Sequence, residues 1–191
     1  MAKRYWLMKS EPDAFGIADL ERKQTEPWTG VRNFMARNYM RQMSVGDEVL
    51  FYHSNAEPPG VAGLARVIRT GVVDDTQFDP ESPYYDPKAT RAQPRWDCVD
   101  VAYVRTFANY VPLERLRGEP PLADMLVIKR GMRLSVQPVD REHFDYIVGL
   151  SETAWSAPPK PPKPRKPPKP PKPPKLGAKP KGKATARKPR R

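Results

Sequence analysis

Over its first 155 positions the chain alternates between apolar runs of strand period and apolar spacings of helix period. Tyr5–Met8 predicts a short buried strand and Ile17–Lys23 a short helix. Helical spacing returns over Asn33–Met43, with Phe34, Met35, Tyr39 and Met43 as the inward positions. The turn Ser44-Val45-Gly46-Asp47 ends that helix. Glu48–Ser54 then reads as a strand, nearly continuous in apolar character from Val49 to Tyr52. A second, longer β segment, Gly60–Val73, follows the turn Pro58-Pro59-Gly60.

The clearest strand is Trp96–Phe107. There Val99, Val101, Tyr103, Arg105 and Phe107 alternate with Asp100, Ala102, Val104 and Thr106. Leu113–Arg117 predicts a short helix, and Arg133–Pro138 a strand that stops at its proline. Asp140 is placed to cap a closing helix through Leu150. Residues 74–95 carry Asp79-Pro80, Ser82-Pro83 and Asp86-Pro87, so they form a long loop, ordered or not. Short helices between strands, without regular βαβ alternation, predict an α+β domain with a curved sheet or partial barrel.

Composition divides the chain in two. Residues 156–191 hold 14 Lys and Arg and no acid, which leaves 20 basic against 22 acidic residues in 1–155. The net charge of +12 therefore belongs to the tail, and the body is slightly acidic. Thirteen prolines in those 36 tail residues exclude helix and sheet, so a disordered Pro/Lys-rich basic tail is expected. Lys160, Lys163, Lys166, Lys169, Lys172 and Lys175 recur every third residue. In polyproline II they would line one edge about 9 Å apart, a stripe suited to phosphates. The PxxP repeats also suit a proline-motif-binding partner, and a purely solubilising role is the plainer reading.

Inventories of catalytic chemistry come up thin. Cys98 is the single cysteine, so no intramolecular disulfide forms, and it reads as a small core residue of a strand. His53 and His143 stand at no metal-ligand spacing with it or with each other, so no metal and no cofactor is expected. Gly60-Val61-Ala62-Gly63 sits in strand sequence and is no KH loop. Glu11/Asp13 and Asp74-Asp75 read as caps and turns. No apolar run reaches the roughly 18 residues of a membrane span. The expectation is a soluble intracellular protein without membrane contact: cytoplasmic, nucleoid-associated in a bacterium or nuclear in a eukaryote.

Three segments concentrate recognition chemistry. Trp28-Thr29-Gly30-Val31-Arg32-Asn33 puts an indole, a glycine, an arginine and an amide at a loop-to-helix junction. Phe51-Tyr52-His53-Ser54-Asn55 delivers polar-tipped side chains at a strand end. Phe78 through Tyr84-Tyr85 to Arg95-Trp96 gathers aromatics in a loop. Aromatic faces hold an unstacked base, and hydroxyls and amides read its edge. The plainer readings are core tryptophans at Trp28 and Trp96, a helix cap from Arg32 and Asn33, and a satisfied buried His53.

These segments, with Trp6-Leu7-Met8-Lys9-Ser10-Glu11-Pro12, Tyr84-Tyr85-Asp86-Pro87 and Leu134-Ser135-Val136-Gln137-Pro138, closely resemble the EVE domain from about residue 4 to 150. The resemblance implies a PUA-like mixed β pseudo-barrel with short peripheral helices over residues 1–155, related to YTH domains. It implies a reader of a modified base, a modified cytosine in DNA or a modified base in RNA. The implied pocket joins Lys9-Ser10, Trp28–Asn33, Tyr52–Ser54 and Leu134-Ser135. Trp28 would stack, Ser10, Asn33 and Ser54 would bond the base edge, and Lys9, Arg32 and His53 would meet phosphate or base. Gly30, Val31 and Tyr52 would complete the wall, with Tyr84, Arg95 and Trp96 at the rim. Thr29 stands where many members have Asp, and Phe34-Met35 where many have Tyr-Gln. The alternative implied by the ASCH relatives is a small hydrolase built on Lys9, Ser10 and Glu11. Adjacent strand residues face opposite ways, which argues against one shared centre.

Overall fold

The computed structural model describes residues 3–157. The tail, with Lys160, Lys163, Lys166, Lys169, Lys172 and Lys175, lies outside the described residues.

Eleven regular elements follow in chain order: β1 (Tyr5–Ser10), α1 (Pro12–Phe15), α2 (Ile17–Lys23), β2 (Thr25–Pro27), α3 (Phe34–Gln42), β3 (Glu48–His53), β4 (Gly60–Val73), β5 (Asp97–Pro112), α4 (Leu113–Gly118), β6 (Val136–Val139) and α5 (Arg141–Ser151). Short 3-10 turns stand at Asp75–Phe78, Pro120–Leu122 and Leu126–Ile128. The six strands form one mixed sheet in the order β2-β5-β4-β3-β1-β6, in which only the β1–β3 pair is parallel. Helix α3 touches β5 and β4 as well as β6, elements from both halves of that order, so the sheet curls around it. This is the curved α+β architecture that the apolar pattern predicts.

The sheet has a core on each face. Trp6, Met8, Val49 and Phe51 pack with Ile17 and Leu20 of α2, Ala36 and Met40 of α3, and Trp28. Leu7, Leu50 and Tyr52 pack with Leu116 of α4, Phe144 and Ile147 of α5, and the segment holding Leu122, Met125 and Val127. Alternation along β1 and β3 divides the two sets, as the two-residue strand period requires. Cys98 is buried in the first core, and burial with nearby carboxylates pushes its thiol up to about 12, which leaves it inert.

Several elements differ from their expected form. Phe34 and Met35 are not inward: they are 51% and 55% exposed, while Ala36, Met40 and Met43 are buried. The helix starts at the Asn33 cap, which turns its first two residues away from the sheet. Strand β5 runs on to Pro112, and β6 starts only at Val136. Pro138 lies inside β6 opposite Trp6; β6 is an edge strand, where a missing N–H is tolerated. Asp140 holds the N-cap position of α5 without a side-chain cap bond. Residues 74–95 are ordered around buried Gln77, whose side chain donates to the carbonyls of Asp74 (2.8 Å) and Trp96 (2.7 Å) and accepts from the Arg95 and Trp96 N–H groups (2.8 and 3.0 Å).

Candidate nucleic-acid interface

The parallel β1–β3 register pairs Lys9 with Tyr52 and Ser10 with His53. Each pair shares a face, and the two faces are opposite. The residues expected to form one pocket therefore fall into two groups on either side of the sheet.

On the Lys9–Tyr52 side lies an open cleft of about 250 Å³. Ser54, Asn55 and Pro59 line it from the chain after β3, Leu113 and Arg117 from α4, and Val127, Lys129, Gly131, Met132 and Arg133 from the segment before β6. It contains four cationic side chains, Lys9, Arg117, Lys129 and Arg133, and no carboxylate. The Lys9 Nζ donates to the Met132 carbonyl at 3.3 Å and stands 5.7 Å from the Tyr52 ring centroid. Burial lowers the Lys9 pKa and raises the Tyr52 phenol to about 12, so Tyr52 stays neutral.

Most of the remaining cations of the body are arranged differently. Among the described residues, 12 of the 20 Lys and Arg in 1–155 make ion pairs, and none of the four in the cleft does. Unpaired like charges repel, and a polyanion that replaces their counterions relieves that repulsion. The slightly acidic body thus carries a local cationic surface that its net charge conceals.

The Ser10–His53 side is packed. Ser10 Oγ donates to the Phe15 carbonyl at 2.7 Å, and the Ile17 N–H donates to His53 Nε2 at 3.1 Å. Burial lowers the His53 pKa, which keeps the imidazole neutral and able to accept that bond. Trp28 is 7% exposed, and its indole meets Phe51 edge-on at 5.3 Å between centroids. Leu134 packs partly against the same core, and the Ser135 carbonyl accepts from the Lys9 N–H at 2.7 Å.

The loop from Trp28 to Asn33 is held by residues 74–86. Arg32 pairs with buried Asp74 at 2.7 Å and also donates to Thr76 Oγ1 (2.8 Å) and the Tyr84 carbonyl (2.6 Å). Burial opposes ionisation of Asp74, but bonds from Arg32, Thr76 and the Gly30 N–H outweigh it and hold its pKa below the usual carboxylate value. Gly30 has φ +81°, and a Cβ there would lie 2.8 Å from the Tyr84 ring, so this position needs glycine on both counts. Val31 is buried, and Asn33 Oδ1 accepts from the N–H groups of Met35 (2.9 Å) and Ala36 (3.1 Å) as the cap of α3. Of the rim residues, Trp96 is buried and, with Arg95, bonds Asp86, while Tyr84 is exposed.

Lys9, Tyr52 and Ser54 are the expected site residues that the cleft brings together. Asn55, Arg117, Lys129 and Arg133 are additions. Asn55 ends the recognition segment Phe51–Asn55, Lys129 and Arg133 are signalled by the acid-free run Lys129-Arg130-Gly131-Met132-Arg133, and Arg117 has no signal in the sequence. Lys9, Ser10 and Glu11 diverge: Lys9 enters the cleft, Ser10 bonds on the opposite face, and exposed Glu11 accepts from Asn55 Nδ2 at 2.7 Å.

Among the described residues, Asp124, Asp140 and His143 are the group whose potential metal-ligand atoms converge. The two exposed carboxylates approach different ring nitrogens, Asp124 at Nε2 (3.2 Å) and Asp140 at Nδ1 (3.7 Å).

A family described as the EVE domain matches residues 4–150. Mouse thymocyte nuclear protein 1 is 43% identical over 168 residues, covering 78% of this chain and 74% of its own. Among solved structures, a protein from Leishmania major shares 48% identity at a TM-score of 0.76, covering 79% of this chain and 96% of its own. A crystal structure of human THYN1 protein in complex with 5-methylcytosine containing DNA shares 40% identity at a TM-score of 0.74. It covers 80% of this chain and 99% of its own.

Proposed function

The chain belongs to the EVE domain family, and on that premise we propose that it is a non-enzymatic reader of a modified base, with 5-methylcytosine in DNA as the leading ligand. The observation that carries this reading is the cleft at the ends of β1 and β3, where, among the described residues, four cations without ion pairs meet a neutral tyrosine and no acid. Such a cleft fits the phosphates of a nucleic-acid strand. The human relative in complex with 5-methylcytosine containing DNA supports the choice of ligand. The base itself would be read on the other face of the sheet, by the loop Trp28–Asn33, which the Asp74–Arg32 pair holds in shape. RNA carrying a modified base is the second ligand to test.

The tail would add grip without selectivity, since its cations are periodic and its sequence carries no reading element. Where the protein works then follows its ligand: with the cell's DNA, in a nucleus or a nucleoid. Binding rather than turnover is the activity expected, because Ser10 bonds on the face of the sheet opposite Lys9.

The test is a binding screen of the full chain against DNA and RNA oligonucleotides that carry single base modifications, with their plain counterparts. Selective binding of one modified base, with no chemical change in it, supports the reading. Equal affinity for every base, or turnover that Lys9→Ala abolishes, overturns it.

A further inference from the structure

We propose that Phe34, with Met35 beside it and Arg37 one turn on, forms a second contact surface on which a base next to the read base stacks. This inference rests on the reading of the protein as a nucleic-acid reader.

Four of the large apolar side chains exposed on the body are Phe34 (51%), Met35 (55%), Tyr84 (44%) and Tyr85 (43%). Contacts through Trp96 and Arg32 tie two of these, Phe34 and Tyr84, together. Phe34 stacks on buried Trp96, with centroids 4.8 Å apart and planes 17° from parallel. The Arg32 guanidinium lies 5.4 Å from the Trp96 ring and 5.6 Å from the Tyr84 ring. Met35 and Tyr85 adjoin this layer in sequence. The fold already satisfies itself without Phe34, because α3 buries Ala36 and Met40. A half-exposed phenyl ring continuing a buried aromatic stack is a platform for one more flat ring.

Charge selects the occupant. The Arg37 guanidinium stands 4.9 Å from the Phe34 centroid and donates to the Arg95 carbonyl at 2.6 Å. Among the described residues it has no carboxylate partner, unlike Arg32, Arg41 and Arg95 nearby. A guanidinium without a carboxylate partner beside a half-exposed ring matches a nucleotide, with the base on the ring and the phosphate on the cation. The platform also begins one residue after the Trp28–Asn33 loop, so a strand read by that loop passes beside it.

The experiment compares the full chain with its Phe34→Ala, Met35→Glu and Val45→Glu variants. Affinity is measured by fluorescence anisotropy for short DNA oligonucleotides with and without one 5-methylcytosine. Val45 is 66% exposed in the turn beyond the other end of α3 and controls for added negative charge. Phe34→Ala and Met35→Glu should each weaken both oligonucleotides about tenfold, the loss expected for one stacked base, and leave the modified-to-plain ratio unchanged. Val45→Glu should change neither. Losses no larger than that of Val45→Glu overturn the platform. So does unchanged affinity accompanied by loss of self-association in sedimentation, which would make the patch an interface between copies. Should Phe34→Ala fail to fold, Met35→Glu decides. A wild-type ratio of one would defeat the modified-base reading while leaving the platform to be judged on affinity alone.

Discussion

Lys9 and Ser10 are neighbours in β1, yet Lys9 reaches the Met132 carbonyl in a cationic cleft while Ser10 bonds the Phe15 carbonyl on the opposite face of the sheet. Alanine at each position should therefore fail differently. Lys9→Ala should lower affinity for every oligonucleotide by a similar factor and reduce the slope of log affinity against log salt by about one. Ser10→Ala should leave that slope alone and cost about 1 kcal/mol of stability, the worth of a typical intramolecular hydrogen bond. Salt titrations and chemical unfolding of the two variants separate these outcomes.

The same reasoning extends to cleft cations that are far from Lys9 in sequence. Arg117→Ala and Arg133→Ala should each reduce the salt slope by about one without altering preference for a modified base. Neither makes an ion pair among the described residues, so unfolding midpoints should hardly move. A variant that changed base preference at constant slope would place its arginine at the base instead of the backbone.

Asp74 and Arg32 form the staple of the loop Trp28–Asn33. Asp74→Asn keeps the shape but removes the charge, stranding Arg32, whose side chain is 20% exposed. The expected cost is about 3 kcal/mol, at the lower end for breaking a buried pair from one side. Because the folded pKa of Asp74 is held low, its stabilisation is complete above the unfolded carboxylate value of about 3.9 and disappears as pH falls through the folded value. Acid unfolding of the wild type should show that loss, and the Asn variant should lack it.

Much of the fold could be read from the apolar pattern. Strand alternation and turn residues place five of the six strands, and only three-residue β2 carries too short a pattern to register. The site was less legible, for two physical reasons. The parity argument that separates Lys9 from Ser10 also separates Tyr52 from His53, but that pairing depends on the β1–β3 register, which is tertiary. The cleft joins Lys9 to residues more than 100 positions away, and a body with 22 acids against 20 bases gives no overall sign of a cationic surface. Phe34 and Met35 fit an inward helical spacing as well as Ala36 and Met40 do; the Asn33 cap, not the period, sets which pair faces the sheet.

Trp28 is a core residue with a second, proposed role. At 7% exposure, edge-on to Phe51, it is part of the core, and Trp28→Ala should cost about 3–5 kcal/mol. The alanine variant therefore cannot isolate a stacking role. Trp28→Phe and Trp28→Leu keep apolar volume, and of the two only phenylalanine keeps a π face. If the indole stacks on the read base, the Phe variant should retain most of the discrimination between modified and plain oligonucleotides and the Leu variant should lose it. Equal discrimination by two folded variants would leave Trp28 a core residue alone.

His53 gives the pH dependence its second component. Its Nε2 accepts from the Ile17 N–H at 3.1 Å, which requires a neutral ring, and burial lowers its pKa. The unfolded chain binds a proton here near pH 6.5, while the folded chain resists until a lower pH. In that interval the unfolded state holds more protons, so stability falls as pH falls. The contribution is complete above about pH 6.5 and is lost by the folded pKa, a window above the one Asp74 governs. His53→Gln offers an amide oxygen to the same N–H and does not titrate. Unfolding free energies measured across pH 4 to 8 should therefore show a shallower dependence in the Gln variant than in the wild type, and the two curves should differ chiefly below about pH 6.5. Parallel curves through that window would mean that His53 is protonated in the fold as readily as in the unfolded chain, and that burial does not hold its imidazole neutral.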